Sequence, residues 1–495
     1  TQEHDCYSFS PNKRAKQKFR PMKNLFFILL FILTTTILNG QESAKNRAII
    51  LTDIEADPDD TQSLVRLLLY SNEIDIKGIV ATTSCWMPDN IYPESIKKVI
   101  QAYEKVQPNL KKHHPDFPAA AELLALVKQG LPVYGMKGVG KKMDSEGSNW
   151  IIRELEKDDN RPLWICAWGG TNTLAQALYK IEKTKNKKEA KKIIDKLRVY
   201  TISDQDDSGI WIRNNFPSLF YIVSPGDDYG NATWTAINSY IKGTDNTKIS
   251  TPWIARNIQQ NHGSLGAAYP DVAWGMEGDT PSFLNLIRNG LSNPEHPNWG
   301  GWGGRYELYI PDFSKQKEGS SIVTKAPETR KIWTNAIDTY TPYKTNEYGR
   351  SVKQDTAIFK GFRETLWRWR NDFQNDFAAR IDWCTKSYKE ANHAPVIVLN
   401  TPEKITVKSG EGINLDAFNS YDPDGDNISF LWFNYPEAGT YKTPIKIEGA
   451  ENVHKAFFIA PKIKNEVTAH FILKVTDKGK PQLAVYKRII VTIKP

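Results

Sequence analysis

Residues 49–60 read IILTDIEADPDD, an apolar run that ends in five carboxylates within eight residues: Asp53, Glu55, Asp57, Asp59 and Asp60. Like charges at close range raise one another's pKa unless a proton or a cation holds them. The donors are all oxygens, which suits Ca²⁺ or Mg²⁺ rather than zinc, a metal that prefers His and Cys. Part of the cluster has a local explanation. Asp57 followed by Pro58 has the form of a helix N-cap with proline at the first helical position, and Asp59 and Asp60 would meet the positive end of that helix. Asp53 and Glu55 are left over at the strand end, where open α/β sheets bind ligands. The pattern predicts a metal-assisted carboxylate site.

Such acids need a strand and a helix to hold them, and the chain supplies the pair repeatedly. Strand-like runs are expected at Ala48–Asp53, Ile76–Ala81, Pro132–Tyr134, Leu163–Ala167, Leu197–Ile202 and Leu219–Val223, with helices between them at Glu94–Val106, Pro118–Gln129, Trp150–Glu156 and Thr173–Ile181. The alternation predicts an α/β fold, a mainly parallel sheet flanked by helices. The acidic turn, the AWGGTN turn (167–172) and the SDQDDSG turn (203–209) all follow strands and are expected around one crevice. Lys183–Lys196 reads as a solvated helix face. NGLSNPEHPNWGGWGGR (289–305) reads as a long ordered loop of the type that covers a site. A long helix is expected over Thr356–Tyr388, its aromatic stripe serving packing.

From about residue 393 the grammar changes to short alternating runs, VIVL, KITV, ISFLWF, HFILKV and KRIIVTI, separated by turn residues. That is how a β-sandwich of about 100 residues reads. Two domains are therefore expected, 41–390 and 393–495. SYDPDGDNISFLWF resembles the Asp-rich turn and core-tryptophan strand of polycystic-kidney-disease and cadherin-like immunoglobulin modules, with Trp432 in the core. Asp422, Asp424 and Asp426 in that turn are candidates for calcium, but a turn that uses Asp for local backbone hydrogen bonds is the preferred explanation.

The acidic turn resembles the nucleoside hydrolases, whose signature is a strand, Asp-x-Asp-Pro-Gly-x-Asp-Asp and a helix. The resemblance implies that Asp53, Glu55, Asp59 and Asp60 take the places of the family's four acids. Glu55, one methylene longer than the family's aspartate, would then touch Ca²⁺ and deprotonate the attacking water; Asp59 would bind sugar hydroxyls and Asp60 chelate the ion. GGTNTLAQAL (169–178) resembles a second family element, which implies a calcium-ligating carbonyl on Thr171 and places Asn172 beside the substrate. EGDTPSFL (277–284) sits where the family carries His-Asp-Pro, which implies Asp279 as the last calcium ligand, Gly278 replacing the histidine. Asp53 is a further candidate ligand. Asp204, Asp206, Trp211 and Arg213 are candidates for orienting substrate. A closer resemblance, carried by WGGWGGRY (299–306) and EGDTPSFL, is to secreted cellulose-binding proteins that pair such a domain with an immunoglobulin-like one. It implies a carbohydrate or glycoside ligand, with a polysaccharide among the candidates, and Trp86, Trp168, Trp211, Trp299 and Trp302 lie near expected turns where they could stack on sugar.

Composition sets the outer bounds. With 495 residues, 40% hydrophobic and 25% charged, the chain reads as a multidomain globular protein. Lys23 followed by the uncharged run Leu25–Leu38 reads as a secretory signal over about 22–40, short for a membrane span, so a secreted or periplasmic protein without a stable membrane anchor is expected. Of the formal charge of +8, residues 1–40 hold +4 (six Lys or Arg against Glu3 and Asp5), leaving +4 over 41–495. That balance gives no argument for a nucleic acid polymer as partner. Beyond the leader, Cys85, Cys166 and Cys384 form no CxxC and imply no disulfide framework. The expected function is an exported, calcium-dependent hydrolase of glycosidic or N-glycosyl bonds; the alternative is a carbohydrate-binding protein using the same crevice. An aspartate-nucleophile phosphatase would want Asp where Glu55 stands.

Overall fold

The first strand, β1 (Asn46–Thr52), shows why the sheet is central: every residue after Asn46 is buried. Ala48 and Ile50 point into one core layer with Trp164, Cys166 and Tyr200, while Ile49 and Leu51 point into the other with Ile165, Ala167 and Val199. A strand apolar on both faces belongs in the middle of a parallel sheet. The computed structural model describes residues 44–312, 326–342 and 357–495, so the signal expected at 22–40 lies outside the described residues. Among the described residues no helix is long and apolar enough to cross a membrane.

From β1 the chain runs through α1 (Asp59–Leu69), β2 (Ile74–Ala81), α2 (Pro93–His113), α3 (Ala120–Ala125), β3 (Val127–Gln129), α4 (Glu146–Glu156), β4 (Leu163–Ala167), α5 (Asn172–Thr184), α6 (Lys187–Ile194), β5 (Leu197–Thr201), α7 (Ser208–Asn215) and β6 (Phe220–Val223). Short helical turns follow, α8 (Thr233–Ala236), α9 (Thr251–Ile254), α10 (Gly263–Ala267) and α11 (Pro281–Leu284), and then β7 (Tyr306–Tyr309) and β8 (Ile332–Asn335). The eight strands lie in the order β3-β2-β1-β4-β5-β6-β8-β7, parallel except for the edge strand β7. The order reverses between β1 and β4, which opens a crevice at their carboxyl ends. A small hairpin, β9 (Asp338–Tyr340) and β10 (Phe359–Gly361), precedes α12 (Glu364–Trp367) and α13 (Arg370–Asp382).

Four expectations need correction. The helix expected over Pro118–Gln129 stops at Ala125, and its last residues form β3 beside β2; Pro132–Tyr134 is a turn, not a strand. Short apolar runs do not distinguish strand from helix by periodicity alone. The long helix expected over Thr356–Tyr388 is two helices. At the break the Trp369 indole takes the Thr365 carbonyl, and the Trp369 amide turns to Leu366 instead. The aromatic stripe is packing, as expected: Trp367, Trp369, Phe373 and Phe377 are buried. The loop over 289–305 does not cover the crevice. It docks the β-sandwich: Arg488 donates to the carbonyls of Leu291 (2.9 Å) and Gly300 (3.0 Å), and Trp302 sits edge-on to Tyr486.

That sandwich pairs β11 (Lys404–Lys408), β16 (Ala484–Lys494), β15 (Val467–Asp477) and β13 (Ile428–Asn434) in one sheet and β12 (Gly412–Asp416) with β14 (Lys455–Ile459) in the other. Trp432 is fully buried between them, with Phe458 stacked on Phe471. Tyr435, Ile472 and Tyr486 turn the other way and join the core of the α/β part, so residues 44–495 form one compact unit. A buried knot at this junction has Asp338 accepting from Arg305 (2.6 Å), Arg368 (3.1 Å) and the Tyr435 hydroxyl (2.5 Å).

Candidate functional site

The switch point between β1 and β4 holds a cavity of about 460 Å³ lined by Asp53, Asp57, Asp59, Asp60 and Asp279, with Trp86, Trp168, Trp234, Trp274, Tyr229 and Gln205 around them. Two chain segments build its acidic floor. In the first, Asp57 Oδ1 accepts the Asp59 amide at 2.8 Å and caps α1, which leaves Asp59 and Asp60 on the first helical turn. Thr52 donates a short hydrogen bond to Asp60, and the Trp234 indole donates to Asp59 at 3.2 Å. In the second segment Glu277 adopts a left-handed conformation (φ 53°), and Gly278 follows pressed between Trp234 and Asp59: a β-carbon there would lie 2.6 Å from Asp59 Oδ2. Only glycine fits, and Asp279 is thereby delivered beside the α1 acids.

Carboxylate oxygens of Asp59, Asp60 and Asp279 all lie within 4.8 Å of one another. Burial, reinforced by the charges of the neighbouring acids, raises all three well above the ordinary aspartate range. Asp53, buried and hydrogen-bonded to Ser84, is pushed up to about 6, chiefly by loss of solvation. No lysine, arginine or histidine lines the cavity among the described residues. An ion with metal–oxygen bonds of roughly 2.3–2.6 Å reaches three oxygens spaced this way, and an all-carboxylate donor set is what a hard divalent cation takes. The residues present therefore fit Ca²⁺.

Asp53, Asp59, Asp60 and Asp279 are thus brought together as expected; several other candidates are not. Glu55 is exposed at φ 84°, which turns its side chain out of the cavity, while Asp57 lines it. The role of catalytic base and calcium ligand expected for Glu55 has no support in this geometry. The Thr171 carbonyl accepts the Ala175 amide as the first bond of α5, its hydroxyl pairs with Ser208, and Thr171 does not line the cavity. Asn172 spends its side chain on Thr82, Thr83 and the Val133 carbonyl. Asp206 accepts from Ser208 and from the Asn172 amide (3.1 Å), and burial lifts it to about 6. Asp204 and Arg213 form a buried two-pronged ion pair (2.8 and 2.7 Å) shared with Glu328. Trp211 packs edge-on against Phe216. These five residues, Asn172, Asp204, Asp206, Trp211 and Arg213, hold the strand ends in place rather than face a ligand.

Of the tryptophans expected near turns, Trp86 and Trp168 line the cavity, whereas Trp299 and Trp302 belong to the sandwich junction. Trp168 is fixed by its indole N–H donating to Ser282 at 2.9 Å, which also ties the β4 end to the segment carrying Asp279. Trp234, Trp274 and Tyr229 were not legible as site residues. Trp274 lies five residues before Asp279, and its 81% exposure marks it as a rim residue without a packing role.

Comparison with known proteins agrees with this architecture. The sequence profile described as cellulose-binding Sde182, nucleoside hydrolase-like domain, matches residues 47–306, and that of the cellulose-binding protein Sde0182 C-terminal domain matches 412–493. A solved structure of a nucleoside hydrolase-related hypothetical protein from Saccharophagus degradans, associated with carbohydrate metabolism, superposes with a TM-score of 0.75. It is 34% identical, over 91% of this chain and 100% of its own. The effector protein XOO4466 (10% identity, 70% of this chain, 95% of its own) and the type III effector XopQ complexed with adenosine diphosphate ribose (11%, 70% and 96%) superpose at only 0.32 and 0.31 and carry no argument. No match is found among curated proteins.

Proposed function

Because the chain belongs to the cellulose-binding Sde182 family, with its nucleoside hydrolase-like and C-terminal domains, we propose that the acidic cavity is a saccharide site organised by a divalent cation, Ca²⁺ by preference. The observation that carries this reading is the convergence of Asp59, Asp60 and Asp279 at the base of a cavity walled by tryptophan. Buried like charges at that spacing are relieved by a cation or by protons, and indole faces with adjacent carboxylates are what sugar rings and their hydroxyls take. A bound divalent ion would supply positive charge and an electrophilic anchor for hydroxyl oxygens. The protein supplies the rest: Asp53 and Asp57 accept hydrogen bonds from hydroxyls, Trp168 and Trp234 form fixed walls, and Trp86 and Trp274 offer exposed faces at the mouth. The relative from S. degradans is associated with carbohydrate metabolism and the family is named for cellulose, so β-linked glucose oligomers are the first probes. The signal expected at 22–40 would export the site to where such polymers are met; N-terminal sequencing of the mature protein tests that.

Hydrolysis is a second reading, favoured by Asp57, a partly exposed carboxylate in the cavity beside the trio. In this reading Asp57, not Glu55, takes the proton of an attacking water, a contribution of roughly 10² to 10⁴-fold. Asp57→Asn should abolish turnover of nitrophenyl glycosides or nucleosides and Glu55→Gln should not; absence of turnover by the wild type leaves the binding reading alone. For the cation, Ca²⁺ at 100-fold above its Kd should stabilise the fold by about 2.7 kcal/mol. Asp60→Asn should remove that gain, and melting curves identical with Ca²⁺ and with chelator would refute the metal.

A further inference from the structure

We propose that Glu277, gripped by Arg66, is the positioning residue that holds Asp279 against the α1 acids; this rests on the cation-site reading. Glu277 is fully buried, yet it is a non-glycine residue at φ 53°. A left-handed backbone at a residue with a side chain is costly and persists where its surroundings over-determine it. Here they do. Arg66 Nε lies 2.5 Å from Glu277 Oε2 and Nη2 donates to Oε1 at 3.0 Å; the Tyr269 hydroxyl donates to Oε1 at 2.8 Å and Thr280 to Oε2 at 3.0 Å. The Glu277 amide donates to Gln62 Oε1 at 2.9 Å, and Thr280 also reaches Ser63 at 3.0 Å. Arg66 is itself held over the Phe377 ring, 4.0 Å from its centre.

The partners on α1 are spaced by helical geometry. Asp59, Gln62, Ser63 and Arg66 are three, four and seven residues apart, so they share one face. The face that presents Asp59 therefore also clasps the segment 277–280 through three independent contacts. The clasp opposes a definite force. Asp279 lies in the field of Asp59, Asp60, Asp53 and Asp57, all of the same sign, and a two-residue link through Gly278 would let it swing away. With the clasp intact, the oxygens remain within 4.8 Å of one another before any ion arrives.

The test is a double-mutant cycle on the full chain in chelator, read as melting temperature, with Ca²⁺ calorimetry beside it. Asp279→Asn removes one of the repelling charges and should raise the melting temperature in the wild type. In a Glu277→Gln background that rise should be much smaller, because the unclasped Asp279 has already moved off. A role for Glu277 in packing alone gives equal shifts in the two backgrounds, and that result would overturn the proposal. If Glu277→Gln does not fold, Tyr269→Phe, which deletes a single hydrogen bond to the same carboxylate, takes its place in the cycle. In calorimetry Glu277→Gln should weaken Ca²⁺ at least tenfold; wild-type affinity in that variant also overturns it. If the wild type itself gives no heat with Ca²⁺, the cation-site reading falls, and the cycle still decides whether Glu277 positions Asp279.

Discussion

Asp60 and Glu55 stand five residues apart on one turn, and only Asp60 faces the cavity. Which residue types gather there was legible in the sequence, since a strand ending in oxygen donors has few other uses. Which way Glu55 points was not, because a single backbone reversal to φ 84° decides it and a motif alignment carries no dihedral. Glu55→Gln should accordingly leave saccharide affinity at the wild-type value in calorimetry. Trp274 shows the converse: it lies in none of the motifs read from the sequence, yet at 81% exposure its indole is open to a ligand. Trp274→Ala should leave the melting temperature nearly unchanged, as exposed substitutions do, and weaken saccharide binding by about 0.5–1.5 kcal/mol. The buried aspartates also set a pH dependence. Asp206 and Asp477, away from the acid trio, are each raised by burial to about 6, against an ordinary value of about 3.9. Between those values the native state binds more protons than the unfolded one, so stability should fall as pH rises from about 4 to about 6. Denaturant midpoints across that range, with chelator present, check the sign.

At the scale of elements, the strands that were read most accurately are the central ones, β1, β4 and β5, whose apolar runs are buried on both faces. The misread segment, Pro118–Gln129, lies at the sheet edge, where α3 gives way to a three-residue strand and a short run of Leu and Val serves either state. The loops after β4 and β5 were placed correctly around the crevice, but their polar residues were given the wrong task. Asn172, Asp206, Asp204 and Arg213 satisfy one another and the backbone beneath the cavity. Their burial is what the sequence could not show, since a structural and a ligand-facing asparagine look alike in a motif. Asn172→Ala removes three buried hydrogen bonds, to Thr82, Thr83 and the Val133 carbonyl, leaving those groups only the longer contacts Thr82–Thr173 (3.4 Å) and Thr83–Val133 (3.3 Å), and should cost about 1–3 kcal/mol of stability. If the residue is structural, urea melts will show that loss while Ca²⁺ affinity measured on the folded fraction stays the same.

Across the whole molecule, the second domain was recognisable from its alternating strands and Trp432, but its union with the first was not. The Gly- and Trp-rich loop at 289–305 reads like a lid because it lacks periodicity. Its ring partners His470 and Tyr486 lie more than a hundred and sixty residues further on, beyond what local sequence can report. The buried Asp338 knot fastens the two parts, and Asp338→Ala would take the buried carboxylate from Arg368 and leave Arg305 only Glu307 and the Ile337 carbonyl, at a cost of about 3–5 kcal/mol. The account as a whole stands on the cavity between β1 and β4 being a saccharide site that works through a divalent ion. Calorimetry of cellotetraose on the full chain in Ca²⁺, in chelator, and with Asp60→Asn in Ca²⁺ tests this most directly. The account predicts binding in the first condition and its loss in the other two. Equal cellotetraose affinity in all three, or none in any alongside intact Ca²⁺ binding, would contradict it.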